Sequence, residues 1–258
     1  MKQELAPIIS ISEVMPEVYL VWLESAQIAS TAWPGQFVMV RCGRDTEYVL
    51  RRPLSIHQLD TTKIALLFTV VGKGTNWLAQ AKPGDTIDLL GPLGNGYSVY
   101  PTAHNLLLVA GGIGIAPLRF LAQESLNQGC SVKLLLGAST ATQLYPEYLL
   151  PSEAEIIITT EDGTAGKKGM ITDLLPDFVG WADQVFACGP ALMYGAMASK
   201  YQNVLKAKPA QVSLEVRMGC GRGVCYGCTV KTRNGLKQVC QDGPVFNLAD
   251  VLWDELDC

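Results

Sequence analysis

Four of this chain's eight cysteines fall between Cys220 and Cys240, and their spacing is the first feature that constrains chemistry. They read Cys220-x4-Cys225-x2-Cys228, with Cys240 following after eleven intervening residues. A tight loop that supplies three thiolates, joined by a fourth from farther along, is the arrangement that holds a two-iron, two-sulfur cluster. Gly219, Gly221, Gly223 and Gly227 suit such a loop, which must turn sharply and aim backbone N–H groups at sulfur. A structural zinc site is the competing reading, but zinc hooks are separated by a spacer, whereas here the first two hooks share Cys225. Clustering also argues against a disulfide framework. Cys42, Cys130 and Cys258 read as ordinary thiols that pack like small hydrophobes.

A second chemistry is anion binding, and three segments point to it. Arg51-Arg52-Pro53-Leu54-Ser55 lies within a strand pattern, and Pro53 favours an extended Arg52 whose guanidinium, beside a hydroxyl, suits a phosphate. A solvated arginine pair on an edge strand would look the same. Leu67-Phe68-Thr69-Val70-Val71 runs into Gly72-Lys73-Gly74-Thr75 and a short helical stretch over Asn76–Ala81, with Thr75 as the expected cap. Farther on, the strand Asn105–Ala110 leads into Gly111-Gly112-Ile113-Gly114 and a helix expected to start near Pro117. That turn brings backbone close to a pyrophosphate, although a glycine turn can also be purely structural. A later strand ends in Cys188-Gly189-Pro190, which sets Cys188 at a sheet's carboxyl edge, with buried packing as the alternative.

The elements that must position these residues fall into three groups. Alternating segments at Glu17–Leu23, Gln36–Arg41, Lys63–Val71 and Asp85–Leu90, separated by turns such as Pro34-Gly35 and Pro83-Gly84, predict an antiparallel barrel over 1–100. Strand candidates at Asn105–Ala110, Ser131–Leu136, Glu155–Thr160 and Gln184–Ala187 alternate with helical stretches at Arg119–Gln128 and Ala191–Gln202. They predict a Rossmann-like parallel α/β domain over 101–208. Lys206–Ala210 reads as a linker, and 209–258 as a small unit built around the cysteines. The fold class is therefore multidomain, α/β plus all-β.

Composition narrows the function classes. Hydrophobic residues are 48% and charged residues 17%, so the chain is globular rather than disordered. A net charge of −4 without a basic segment argues against nucleic acid. The apolar run Leu106–Leu118 is short and interrupted by glycines, and the N-terminus lacks a signal pattern. No membrane association is expected, and the setting reads as cytoplasmic.

The order Arg-Pro-Leu-Ser, Gly-Lys-Gly-Thr, Gly-Gly-Ile-Gly-Ile-Ala-Pro-Leu, Cys-Gly-Pro resembles the ferredoxin reductase superfamily. The appended cysteine cluster narrows the resemblance to the electron-transfer subunits of type B dihydroorotate dehydrogenases. It also extends through the motifs beginning at Gly91, Glu161 and Cys240. The resemblance implies that Arg52, Pro53, Leu54, Ser55, Leu67, Phe68, Thr69, Gly74 and Thr75 bind FAD. Gly111, Gly112, Gly114, Cys188, Gly189 and Pro190 would receive NADH, and Cys220, Cys225, Cys228 and Cys240 would hold the 2Fe-2S cluster.

No side-chain acid or base is needed in this scheme, because hydride transfer requires ring alignment. All 258 residues are occupied by these units, while a (β/α)8 catalytic domain needs about 250 more. Dihydroorotate oxidation would then lie on an FMN-containing catalytic subunit, in a heterotetramer of two copies of each. The same plan resembles diaphorase subunits of sulfhydrogenase and of NADH-dependent ferredoxin reductase complexes, and a zinc-stapled, non-enzymatic adaptor is the alternative of another class. One departure is that Gly137–Gln143 carries no positive charge for a 2′-phosphate, which predicts NADH over NADPH unless Lys167 and Lys168 supply it.

Overall fold

The computed structural model describes residues 1–43, 48–200, 202–205 and 208–256. Cys258, together with Lys206 and Ala207 of the expected linker, lies outside them.

Six antiparallel strands form the barrel: β1 (Lys2–Met15), β2 (Val18–Glu24), β3 (Phe37–Val40), β4 (Arg52–Asp60), β5 (Lys63–Thr69) and β6 (Thr86–Leu93). They close in the order β1-β2-β5-β4-β3-β6. Val21, Val38, Ile56, Ile64, Leu66 and Leu89 fill its interior. Closure leaves no free edge, so β4 sits between β5 and β3 and the edge-strand reading of its arginines does not hold. β1 is a strand the apolar pattern does not announce, since of its fourteen residues only Ala6 and Ile8 are buried.

The second layer is a seven-stranded sheet ordered β10-β9-β8-β7-β11-β12-β15. Its members are β7 (Asn105–Gly111), β8 (Ser131–Ala138), β9 (Glu155–Thr160), β10 (Lys167–Lys168), β11 (Gln184–Cys188), β12 (Ala210–Ser213) and β15 (Val245–Asn247). All neighbours are parallel except β12 and β15. The central strands are apolar on both faces, as burial between two layers requires. A helix over Ile115–Asn127 follows β7 and packs across β4 of the barrel.

The boundary expected at 208/209 differs from the structure. Pro209 accepts a backbone hydrogen bond from Val185 at 2.9 Å and Ala210 opens β12, so these two residues of the expected linker belong to the sheet. The segment 209–258 thus lends two strands to the α/β layer, and its own hairpin, β13 (Thr229–Thr232) with β14 (Gly235–Gln238), carries the rest. Two four-residue-or-shorter strands of mixed polarity give too little periodicity to be read alone.

The segment joining barrel to sheet is clamped by glutamine side chains. Gln184 and Gln211 each donate to the Ser98 carbonyl, at 2.8 and 2.9 Å, and Gln211 accepts from the Ser98 N–H at 3.0 Å. His57 on β4 makes a second tie. Its Nδ1 lies 2.8 Å from the Ala116 carbonyl, which can only accept, so Nδ1 carries the proton and Nε2 accepts from the Tyr145 hydroxyl at 2.8 Å. Burial holds this imidazole down to about 3, keeping it neutral.

Candidate functional site

A cavity of about 1,460 Å³ opens where the three units meet, larger than the roughly 300–1,000 Å³ typical of small-ligand sites. Barrel residues Arg52, Pro53, Leu54, Ser55, Leu67, Phe68, Thr69, Gly74 and Thr75 all line it. So do Ile113 from the turn after β7, Ala116 from the helix that follows it, Ser213–Met218 at and beyond the end of β12, and Gly227–Val230 where the cysteine loop enters its hairpin.

The two arginines have parted duties. Arg51 is bound to Asp88 at 2.6 Å and to the Asp88 carbonyl at 3.0 Å, tying β4 to β6. Arg52 instead turns to the cavity over Gly74, where a Cβ would stand 2.8 Å from both Nε and Nη2. Glycine at 74 is therefore the condition for the guanidinium's position. Arg52 also donates to the Leu50 carbonyl.

Thr75 is not the helix cap expected of it. The helix covers Lys73–Ala79 with Gly72 at its N-cap, and Thr75 reaches back from the first turn. Its hydroxyl accepts from the N–H groups of Val71 and Gly72 at 3.0 and 3.2 Å and donates to the Gly72 carbonyl at 3.1 Å. These N–H groups are thereby satisfied within the turn rather than left for an anion, because glycine cannot cap with a side chain of its own.

The two nucleotide segments, 77 residues apart between Gly111 and Cys188, converge. β7 and β11 are adjacent and parallel, with Ala110 paired to Cys188, so both motifs emerge at the same carboxyl edge. Gly114 lies so close to the Cys188 carbonyl that a Cβ there would be 2.0 Å from its oxygen. A Cβ on Gly111 would meet Pro190 at 3.0 Å and Gly189 at 3.6 Å. Gly112 takes φ +55 at the head of a 3-10 turn, and the α-helix proper begins at Ile115, two residues earlier than Pro117 suggests. Proline is tolerated there because first-turn N–H groups have no intrahelical partner.

Sequence reasoning missed Glu215. It follows β12 at the same edge, and its Oε1 accepts from the Cys188 thiol at 3.9 Å. It lines both the large cavity and a neighbouring one of about 310 Å³ bounded by Gly189, Pro190 and Tyr194. Glu215 is an exposed residue whose carboxyl is raised by partial desolvation beside Cys188, with the Cys188 hydrogen bond opposing. Burial and then the Glu215 charge push the Cys188 thiol well up, so it stays protonated and donates. An acid directly after a buried run, Val212-Ser213-Leu214, was the available signal.

Around the cysteines, the question is whether the donors suit two irons. The thiols interact chiefly as two pairs, Cys225 with Cys220 and Cys228 with Cys240, while Cys240 also feels the charge of Cys220. Among the described residues no three His, Cys, Asp or Glu side chains gather as one ion would require. Paired thiols match a centre in which each iron takes two. Backbone N–H groups already face sulfur, from Arg222 and Val224 to Cys220 at 3.3 and 3.4 Å and from Gly223 to Cys240 at 3.2 Å. Burial raises Cys220, but those N–H groups with the Cys225 contacts bring it down to about 6. Burial and the Cys228 contact push Cys240 up to about 12. Cys228 and Cys240 are buried, Cys228 on the cavity wall, whereas Cys225 is exposed between exposed Val224 and Tyr226. The loop rests on the barrel, where a Cβ on Gly221 would meet Met39 at 2.6 Å.

A closed six-stranded barrel set against a parallel α/β sheet, with a cysteine loop at their junction, defines a ferredoxin-reductase-like protein carrying an iron–sulfur module. A ferredoxin NADP+ reductase from Neisseria gonorrhoeae has the same fold (TM-score 0.64, 19% identity, covering 81% of this chain and 93% of that one). Residues 215–252 match the family model for the iron-sulfur cluster binding domain of dihydroorotate dehydrogenase B. The chain is 40% identical over 258 residues to the dihydroorotate dehydrogenase B (NAD(+)) electron transfer subunit of Desulforamulus reducens, covering 96% of this chain and 98% of that one. The Bacillus caldolyticus counterpart is 37% identical, covering 93% and 94%. A chain from the structure of an NADH-dependent reduced ferredoxin-NADP oxidoreductase, studied for flavin-based electron bifurcation, superposes with a TM-score of 0.85 at 33% identity, covering 98% and 91%. This chain belongs to the family of electron transfer subunits of dihydroorotate dehydrogenase B.

Proposed function

We propose that the protein passes electrons between NAD(H) and a catalytic partner subunit that oxidises dihydroorotate. The observation that carries this reading is the single cavity bordered by the Arg52–Ser55 strand, the turn after β7 and Cys228. Held in these places, FAD would supply hydride exchange with the nicotinamide and the 2Fe-2S cluster would supply single-electron transfer to the partner. Arg52 holds the flavin's pyrophosphate, and Pro53–Ser55 with Leu67–Thr69 form the wall beside it. The turn at Gly111–Gly114, backed by Cys188-Gly189-Pro190, takes the nucleotide. Cys188 and Glu215 orient the rings and exclude water at the carboxyl edge of β11, with no proton transfer asked of either.

The two cysteine pairs give the relay a direction. Cys228 and Cys240 are buried, Cys220 is half-buried and Cys225 is exposed, so the exposed Val224-Cys225-Tyr226 segment is where a partner would accept electrons. That partner is an FMN-containing catalytic subunit, in an assembly of two copies of each chain. The seven described cysteines are free thiols, which suits a reducing, cytoplasmic setting. The likeness to the ferredoxin-NADP oxidoreductase chain favours a second reading, service to a ferredoxin-linked complex. Affinity isolation from the native host separates the two. Recovery of a dihydroorotate-oxidising chain, with dihydroorotate-dependent NAD+ reduction by the complex, supports the first. Recovery of a ferredoxin-linked subunit without that activity overturns it.

A further inference from the structure

The seam between barrel and sheet is mostly apolar. Val18, Leu20, Ala65 and Leu67 of the barrel share one buried cluster with Ile115, Ala116 and Phe186. Such contacts are non-directional, so they hold two layers together without fixing how one slides on the other. The Gln184 clamp on Ser98 supplies direction at the amino end of β11. The chemistry lies at the other end of that strand, where the Gly111–Gly114 turn is locked to Cys188–Pro190 by close backbone approach. There the locked nucleotide unit must still be set against the flavin wall.

β4 carries that wall, and it breaks its own register to reach across. Ile56 faces Leu66 and Gln58 faces Ala65, so His57 is the extra residue of a β-bulge. Leu54, Ile56 and Leu59 pack with the barrel interior, a step of two residues followed by a step of three. That change of step turns the buried His57 outward, where its imidazole donates to the Ala116 carbonyl and is held from behind by Tyr145. Ala116 stands in the first turn of the helix Ile115–Asn127, directly after the nucleotide turn. Its carbonyl has two lone pairs, one for the helix and one for His57. Ser55, two residues before His57, and Ala116 line the same cavity. One strand therefore carries the flavin wall and grips the helix that follows the nucleotide turn.

We propose that His57 is a positioning residue for hydride transfer: bulged out of β4, it sets the nucleotide-bearing turn against the flavin wall and so fixes the alignment of the two rings. This role rests on the reading of the cavity as the flavin and nucleotide site. A hydride carries its electron pair from nicotinamide to flavin at a rate set by distance and angle, and a misplacement of about 1 Å can cost about a hundredfold. Nucleotide affinity depends on the locked unit itself, which a change at His57 leaves intact. Rate and affinity should therefore separate.

The test compares His57→Leu, which fills the space without a hydrogen bond, with His57→Asn, whose amide nitrogen takes the place of Nδ1 and keeps the Ala116 bond. In the FAD- and cluster-loaded protein, anaerobic stopped flow measures flavin bleaching at saturating NADH, and calorimetry the NAD+ affinity. The long-wavelength absorbance of NAD+ beside reduced flavin reports ring stacking. His57→Leu should bleach about tenfold or more slowly, with a weakened stacking band, while NAD+ and FAD affinities stay within about twofold. His57→Asn should restore most of the rate and the band. A His57→Leu rate equal to wild type, affinities that fall as far as the rate, or an Asn variant as slow as the Leu variant overturns the positioning role alone. If His57→Leu does not fold, Tyr145→Phe decides: freeing the ring from behind should slow bleaching about threefold or more with affinities kept, and an unchanged rate overturns the role. Wild type that NADH does not bleach overturns the site reading and this role with it.

Discussion

Gly74→Ala is a one-carbon perturbation that should separate stability from flavin binding. The new Cβ would stand 2.8 Å from Arg52 Nε and Nη2 and 2.9 Å from Cζ, closer than van der Waals contact allows. Since the obstructing atoms end a flexible side chain, the guanidinium moves and the backbone does not. A displaced Arg52 loses a charge-assisted bond to the flavin pyrophosphate, a loss of about 1.5–3 kcal/mol, or roughly ten- to a hundredfold in affinity. Within the helix Lys73–Ala79 the same change replaces glycine by the best helix former, a gain of at most about 1 kcal/mol. The flavin-free variant should therefore unfold at the same temperature as wild type or slightly above it, while binding FAD more weakly. Fluorescence titration of flavin-free protein measures the affinity, and thermal unfolding the stability. In an Arg52→Ala background Gly74→Ala should cost nothing further, because its effect acts through that side chain. Unchanged FAD affinity in Gly74→Ala, or an equal loss with Arg52 already removed, would refute the reasoning.

The other predictions concern separate parts of the molecule. Cys225→Ser should abolish the cluster's spectroscopic signal while FAD binding and NADH-dependent flavin bleaching persist; iron content equal to wild type would count against the ligand assignment. Arg51→Ala should lower stability through the lost Asp88 bridge yet leave flavin affinity within about twofold, the reverse of Gly74→Ala, as titration and unfolding would reveal. His57 is held down to about 3 from an ordinary 6.5, so between those values the unfolded chain binds a proton that the native state excludes. Stability is consequently lost as pH falls through that window, by up to about 1.4 kcal/mol per pH unit. His57→Gln should flatten the dependence in urea unfolding between pH 6.5 and 4.5, and slopes identical to wild type would contradict the burial argument.

What the sequence disclosed was what contiguous residues can encode. The cysteine loop was legible because three candidate ligands and their glycines lie within ten residues, Gly219–Cys228. The central strands β5, β7 and β8 were legible because burial on both faces demands unbroken apolar runs. β1 was not, since most of its side chains face outward and leave no alternation to read. Thr75 was assigned to the wrong position because a hydroxyl that caps from the first turn gives the same local sequence as one that caps from before it. The place of Glu215 beside Cys188 depends on strand order, which sets distant segments side by side at one sheet edge, and an acid after a buried run does not by itself disclose that neighbour.

The central claim, that electrons cross from nucleotide to cluster by way of the barrel's flavin, is tested most directly by anaerobic mixing of the holoprotein with NADH. Flavin absorbance and the cluster's electron paramagnetic resonance are then followed together. Flavin bleaching followed by the signal of a reduced cluster is the predicted result, with both lost on removing FAD and only the second lost in Cys225→Ser. A cluster reduced equally fast without FAD, or one that stays oxidised while the flavin is fully bleached, would contradict the account.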